Sequence, residues 1–310
     1  RLLKDRHGWN DGDEIITTPL TFVSTNHAIL YERLTPVFAD VDEFLCLDPA
    51  SVERCITTRT RAVMFVGFGG STGSLRSIAT LCHERGLKLI LDAAHMAGTR
   101  WSDGSHVGGE ADATIFSYHA VKNLPTADGG MICLPDSDMD AAARRLSWMG
   151  INKNTYDRAA SGAYRWQYDV ESVGFKYHGN SIMAAIGLVA LKYLDADNEY
   201  RRQLAAWYDE RLEKIDGIEP IPIPTDCTSS RHLYQIALDR RDELLAALAG
   251  AEISAGVHYQ DNTSYQMYAY GAGTCPAAHR ASERLISLPM STRLTRADID
   301  RICDVIGTFH

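Results

Sequence analysis

The chain reads as an α/β protein: a mostly parallel sheet with helices on both faces, followed by a smaller α/β unit. Three observations predict this. Short apolar runs of strand length alternate with helical patterns up to residue 136. Helical periodicity then takes over, with a long stretch over 181–215. A Pro-rich link, "GIEPIPIPTDC", separates that stretch from a second strand–helix alternation. The expected division is a large unit over 1–194 and a small one over 195–310.

"RLLKDR" reads as the end of a helix and "NDGDE" as the turn before a strand. The start carries neither an initiator Met nor a signal-peptide pattern, so the first element is expected to be cut mid-way, with residues upstream. "DEIITTPL" (13–20) reads as a strand and "TFVSTNHAILYERL" as a helix with Thr21 as its N-cap. "TPVFADVD" (35–42) reads as a strand, "DPASVERCI" as a short helix and "RAVMFVGF" (61–68) as a strand. "SLRSIATLCHERG" opens on Ser74 as cap and closes on Gly86. "LKLILDAA" (87–94), "ADATIFSYH" (111–119) and "GGMICLPD" (129–136) complete the strands of the large unit. Beyond the Pro-rich link, "SSRHLYQIAL" and "ISAGVHY" read as strands around the helix "RRDELLAALAG", with helices to the end.

Composition bounds the function. Of 310 residues, 45% are hydrophobic and 23% charged, the range of a globular protein able to bury a large core. Asp and Glu number 40 against 31 Lys and Arg, so no basic footprint for nucleic acid is present. No apolar run is long enough to span a bilayer. The 7 cysteines are scattered, odd in number and without a CxxC, which reads as reduced thiols of a cytoplasmic protein, with a zinc site as the alternative.

In parallel sheets ligands sit outside the carboxyl ends of the strands. Asp92 and His95 follow one strand there; Ser117, His119 and Lys122 follow another. The ordinary reading of Lys122 is a solvated loop charge. Beside Asp92 it has a second reading, since a lysine and a carboxylate can flank a flat, charged ring. Pyridoxal phosphate needs both: an amine to hold its aldehyde and a carboxylate to keep its ring nitrogen protonated.

The surrounding text decides between these. "GDEIITTPLTFVSTNHAILYERLTPVFADVD", "LILDAAHMAGTRW", "FSYHAVKNLPTADGGMI", "VGFKYHGNSIMAAIGLVAL" and the ending "LISLPMSTRLTRADIDRI" occur in this order. Together they resemble the fold type I, pyridoxal-phosphate-dependent nucleotide-sugar aminotransferases, the DegT-type family, over nearly the whole chain. The resemblance implies a cofactor, pyridoxal 5'-phosphate, bonded to Lys122, which also moves protons at the substrate carbon. It implies Asp92 as the ring-nitrogen partner, His95 near the ring's phenolic oxygen, Ser117 on the phosphate and Phe22 stacked on the ring. It implies a homodimer with shared sites, into which the Lys176–Asn180 segment reaches, with His178 or Asn180 on the neighbour's phosphate. A further phosphate-binding segment is expected upstream of "RLLKDRHGWN".

The sequence departs from the family at Asp128, where Glu is usual, at "QDNTSYQMY" after "HY", and at "VGFGGSTG". The expected reaction moves an amino group, from L-glutamate, onto a nucleotide-linked keto-deoxysugar. Three competing readings are a same-fold sugar dehydratase, a cysteine desulfurase and a sugar-responsive regulator without turnover. The first replaces the lysine by His, and the second has a His directly before its lysine, unlike "SYHAVK". The third leaves Lys122, Asp92, His95 and Ser117 in place without use.

Overall fold

The computed structural model describes residues 1–152 and 168–309. Its main sheet runs in the order β2-β1-β3-β4-β6-β7. These strands are β1 Glu14–Thr17, β2 Thr35–Phe38, β3 Thr60–Val66, β4 Lys88–Asp92, β6 Ala113–Ser117 and β7 Gly130–Cys133. The intervening β5, Arg100–Trp101, lies outside it and pairs with β9, Cys227–Thr228. Every pairing in the main sheet is parallel except β6 with β7. The carboxyl ends of β3, β4 and β6 therefore open on the same edge. Parallel strands must be buried on both faces, and β3 is, from Thr60 through Val66, with only Arg61 and Met64 partly exposed.

The helices form where the sequence supplies their ends. Asp48 caps Pro49–Cys55, its carboxylate accepting from Ala50 N and Ser51 N, with proline in the first turn. Gly86 ends Leu75–Arg85 in the left-handed conformation, φ 66°. One expected cap differs. The helix after β1 starts at Ser24, with Val23 as cap residue, and the Thr21 hydroxyl instead lies 3.0 Å from that of Thr25. Ser74 stands at the N-cap of its helix as expected, with its hydroxyl donating to Asp42 Oδ2 at 2.9 Å and not bonding the helix end.

The long helical stretch is interrupted. Ser181–Ala190 and Leu194–Leu212 are separate helices, and the first buries none of its residues. The second packs Leu204, Ala205, Tyr208 and Leu212 into a second core. That core lines a three-stranded sheet, β11-β10-β8: Leu285–Leu288, Tyr234–Ala237 and Glu219–Pro220. "ISAGVHY" is not a strand; its one backbone bridge to β11 among the described residues is Gly256–Ser287. Its irregular backbone is what brings His258 and Tyr259 toward the edge where the main-sheet strands end. No helix among the described residues is long and apolar enough to cross a membrane.

Candidate active site

Asp92 is the last residue of β4 and Ser117 the last of β6. Lys122 lies in the turn after β6, its N–H donating to His119 O at 2.9 Å. The turn is closed by Thr126 N to Tyr118 O, 2.8 Å, and Tyr118 N to Gly129 O, 2.9 Å. Register thus delivers a carboxylate and an amine from neighbouring strands to one edge.

Their electrostatics are opposed. Burial pushes the Asp92 carboxyl up, while hydrogen bonds from Thr25 Oγ1 (2.8 Å) and Ala94 N (3.1 Å), and the nearby Lys122 charge, pull it back. Burial pushes the Lys122 ammonium down, and Asp92 partly restores it. The Lys122 side chain has no hydrogen-bond or ion-pair partner among the described residues, although it is partly buried. Such a group costs free energy to desolvate without compensation, so it is poised to bond something.

A second wall closes the site. His95, 6% exposed, accepts at Nδ1 from the Gly69 N–H at 3.2 Å. A ring nitrogen that accepts carries no proton, so Nε2 holds the hydrogen and donates to Tyr259 Oη at 3.2 Å. Burial, then the charges of His232, Lys122 and His258, hold His95 well below the usual imidazole value. Gly69 sits at φ +62°, where glycine is at ease, and this conformation aims its N–H at the imidazole. Burial also lowers His258, whose Nδ1 lies 2.9 Å from Ser287 Oγ, and pushes the Tyr259 phenol up to about 12.

The expected site residues divide into two groups. Asp92, Lys122 and His95 are electrostatically coupled. Phe22 stands 58% exposed beside Tyr259, ring centroids 6.0 Å apart, with an aromatic face left open. Ser117 Oγ takes only a long contact from His119 N, 3.4 Å, and its hydroxyl hydrogen has no acceptor among the described residues. His178 and Asn180 are exposed. The His178 ring packs edge-on against Trp148 at 4.2 Å, and Asn180 caps the helix Ser181–Ala190 by accepting from Met183 N. Neither bonds to Lys122, Asp92 or His95. Sequence reasoning gave no role to Thr25, Asn123, His232, His258 or Tyr259. Asn123, His258 and Tyr259 stood inside quoted motifs; His232 carried no signal beyond being a histidine in an apolar run.

These residues fit pyridoxal phosphate. An unpartnered amine suits an aldehyde, and a half-buried carboxylate already held by two donors suits a protonated ring nitrogen. An exposed phenylalanine face suits a flat ring, and a free hydroxyl suits a phosphate oxygen. No group of three or more His, Cys, Asp or Glu among the described residues is arranged to hold a metal ion. An open cleft of about 800 Å³ adjoins Phe22, His258 and Tyr259 on the side of the second core.

A family model for the DegT/DnrJ/EryC1/StrS aminotransferases matches residues 2–307. The chain is 34% identical to the spore coat polysaccharide biosynthesis protein SpsC of Bacillus subtilis, over 96% of this chain and 79% of that one. Among solved structures it is similar to the aminotransferase TlmJ of Streptoalloteichus hindustanus, 30% identical with a TM-score of 0.90 over 99% of this chain and 82% of that one. It is also similar to DesI in the presence of its TDP-sugar product, 27% identical with a TM-score of 0.85 over 99% and 76%.

Proposed function

The chain belongs to the DegT/DnrJ/EryC1/StrS aminotransferase family, and from that premise we propose that it transfers an amino group from L-glutamate to the keto group of a nucleotide-linked deoxysugar, in deoxyaminosugar biosynthesis. It is a sugar aminotransferase of fold type I, with pyridoxal phosphate as cofactor. The observation that carries the site assignment is the partly buried Lys122 amine, without a hydrogen-bond or ion-pair partner among the described residues and electrostatically coupled to Asp92.

When bound, pyridoxal phosphate supplies an aldehyde to carry the amino group and an electron-withdrawing ring. The chain's residues do the rest. Lys122 would hold the cofactor covalently and would move a proton at the substrate carbon; burial lowers its pKa, which favours the neutral form that accepts a proton. Asp92 holds a proton at the ring nitrogen, and Thr25 keeps the carboxylate in place. Phe22 would cover one ring face, His95 and Tyr259 would close the rim, and Ser117 would bind the phosphate. The cleft beside Phe22 is within the usual size range of ligand pockets. The TDP-sugar product held by DesI supports a nucleotide-linked substrate.

The working unit is proposed to be a homodimer. The helix Ser181–Ala190 exposes Ile182 at 75% and Leu188 at 67%, surface that a second copy would cover. A two-fold contact repeats the same patch on both chains, so His178 or Asn180 of each would reach the other's phosphate. The test is to incubate the protein with L-glutamate and a panel of nucleotide-ketosugars, following 2-oxoglutarate and the aminosugar. Release of both in equal amounts is expected; no aminosugar from any member would overturn the substrate class. Sedimentation of an Ile182→Asp variant tests the dimer. The parent should sediment as a dimer and the variant as a monomer.

A further inference from the structure

Directly after Lys122, Asn123 is 8% exposed and fully engaged. Its Nδ2 donates to Asn198 Oδ1 and to Ser230 O, each at 2.8 Å. Asn198 in turn donates to Ala97 O at 2.9 Å, so its own amide has one orientation. With both acceptors on the nitrogen side, the Asn123 carbonyl faces His232 Nδ1 at 2.8 Å. That nitrogen must carry the hydrogen. His232 is thus the Nδ1–H tautomer and His95 the Nε2–H tautomer, and their ring centroids are 4.3 Å apart. One imidazole therefore touches both walls of the site: the lysine turn through Asn123, and His95 through ring contact.

We infer that His232 is a positioning residue for Lys122: its Nδ1–H holds the Asn123 carbonyl and so fixes the turn from which the lysine side chain projects. This rests on Lys122 being the cofactor lysine. His232 comes from the segment leading into β10, whose sheet belongs to the second core, so the lysine's pose is tied to packing outside the main sheet. Lys122 is the strongest charge acting on His232, which agrees with their closeness. Losing the Nδ1 donor would leave the Asn123 carbonyl buried and unsatisfied. The turn would then relax toward other partners and the amine would lose its fixed direction.

Two substitutions separate the donor from the ring. His232→Asn places an amide N–H near the position of Nδ1 but has no ring to pack on His95. His232→Phe keeps the ring and lacks the donor. The readout is titration with pyridoxal phosphate, followed by the absorbance of the lysine-bound cofactor. Binding by His232→Phe should weaken about tenfold, and His232→Asn should stay within about threefold of the parent. Parental binding by His232→Phe, or equal losses in both variants, would overturn the inference. Failure of the parent itself to bond the cofactor through Lys122 would instead overturn the reading of the site. Nitrogen-15 shifts of the parent's histidine rings test the same contact without substitution: a protonated Nδ1 at His232 is expected, and a bare Nδ1 would remove the bond to Asn123.

Discussion

The two walls of the site are built on opposite principles. On one, Phe22 shows its face, and among the described residues Lys122 has no hydrogen-bond or ion-pair partner and the Ser117 hydroxyl hydrogen no acceptor. On the other, Asn123 bonds Asn198, His232 and Ser230 O, Asn198 bonds Ala97 O, and His95 bonds the Gly69 N–H and Tyr259 Oη, so that tautomers and amide orientations are determined. Buried polar groups pay for dehydration with hydrogen bonds, and the second wall obeys. The first wall withholds its bonds. The contrast marks which groups meet a ligand and which hold the others still.

The largest test of that contrast is Lys122→Ala. With no other amine assigned to this edge, multiple turnover should vanish while the melting temperature holds, because the side chain makes no hydrogen bond or ion pair among the described residues that its loss would break. Steady-state product release checks it, and turnover near the parental rate would sink the division between the walls. Asp92→Asn should come next, lowering kcat by about a hundredfold or more, the scale for losing one oriented charge in a site. It should also move the pH midpoint for cofactor bonding downward, because Asp92 raises the Lys122 pKa that burial lowers. A midpoint that stays put would mean the two groups are not coupled.

Thr25→Val sharpens the comparison further, since Thr25 is buried and satisfied yet serves the open wall. Its loss removes a charge-assisted hydrogen bond and should cost about tenfold in kcat/KM. It should also raise the Asp92 pKa further, because the hydroxyl now lowers it. An acid limb displaced to higher pH would show this. The smallest effect concerns the closed wall. His95 is held neutral in the folded chain, well below the usual 6.5, so above that value it is neutral folded or unfolded. As pH falls below it, the unfolded chain takes up the proton first and stability is lost. Urea midpoints at pH 8 and pH 5 should therefore differ more for the parent than for His95→Gln.

Legibility followed sequence distance. Asp92, Ser117 and Lys122 stood at the ends of apolar runs whose length and order imply a parallel sheet, so local pattern alone put them on one edge. Phe22 was placed by family resemblance, and the structure brings its ring beside Tyr259. His232 could not be found this way. "SSRHLYQIAL" looks like any half-buried strand, and its meaning depends on Asn123, 109 positions away. The stretch 181–215 misled for a related reason. Its periodicity is continuous, but Lys192 and Tyr193 bond as turns rather than helix, and Asn198 must point inward to reach Ala97 and Asn123. Tertiary contacts decide that break, and periodicity does not encode them.

The glycines of "GFGG" have a consequence for anyone redesigning substrate preference. A β-carbon at Gly67 would overlap the Met96 sulfur, and one at Gly70, φ +94°, would overlap Ser230 Oγ close to the His95 carbonyl. Both positions stand beside the reaction edge and look like natural targets for saturation libraries. Library members there should be lost to misfolding rather than screened for selectivity. Diversity is better spent across the cleft, at Val257, Gln260 and Tyr265, where side chains already line open space.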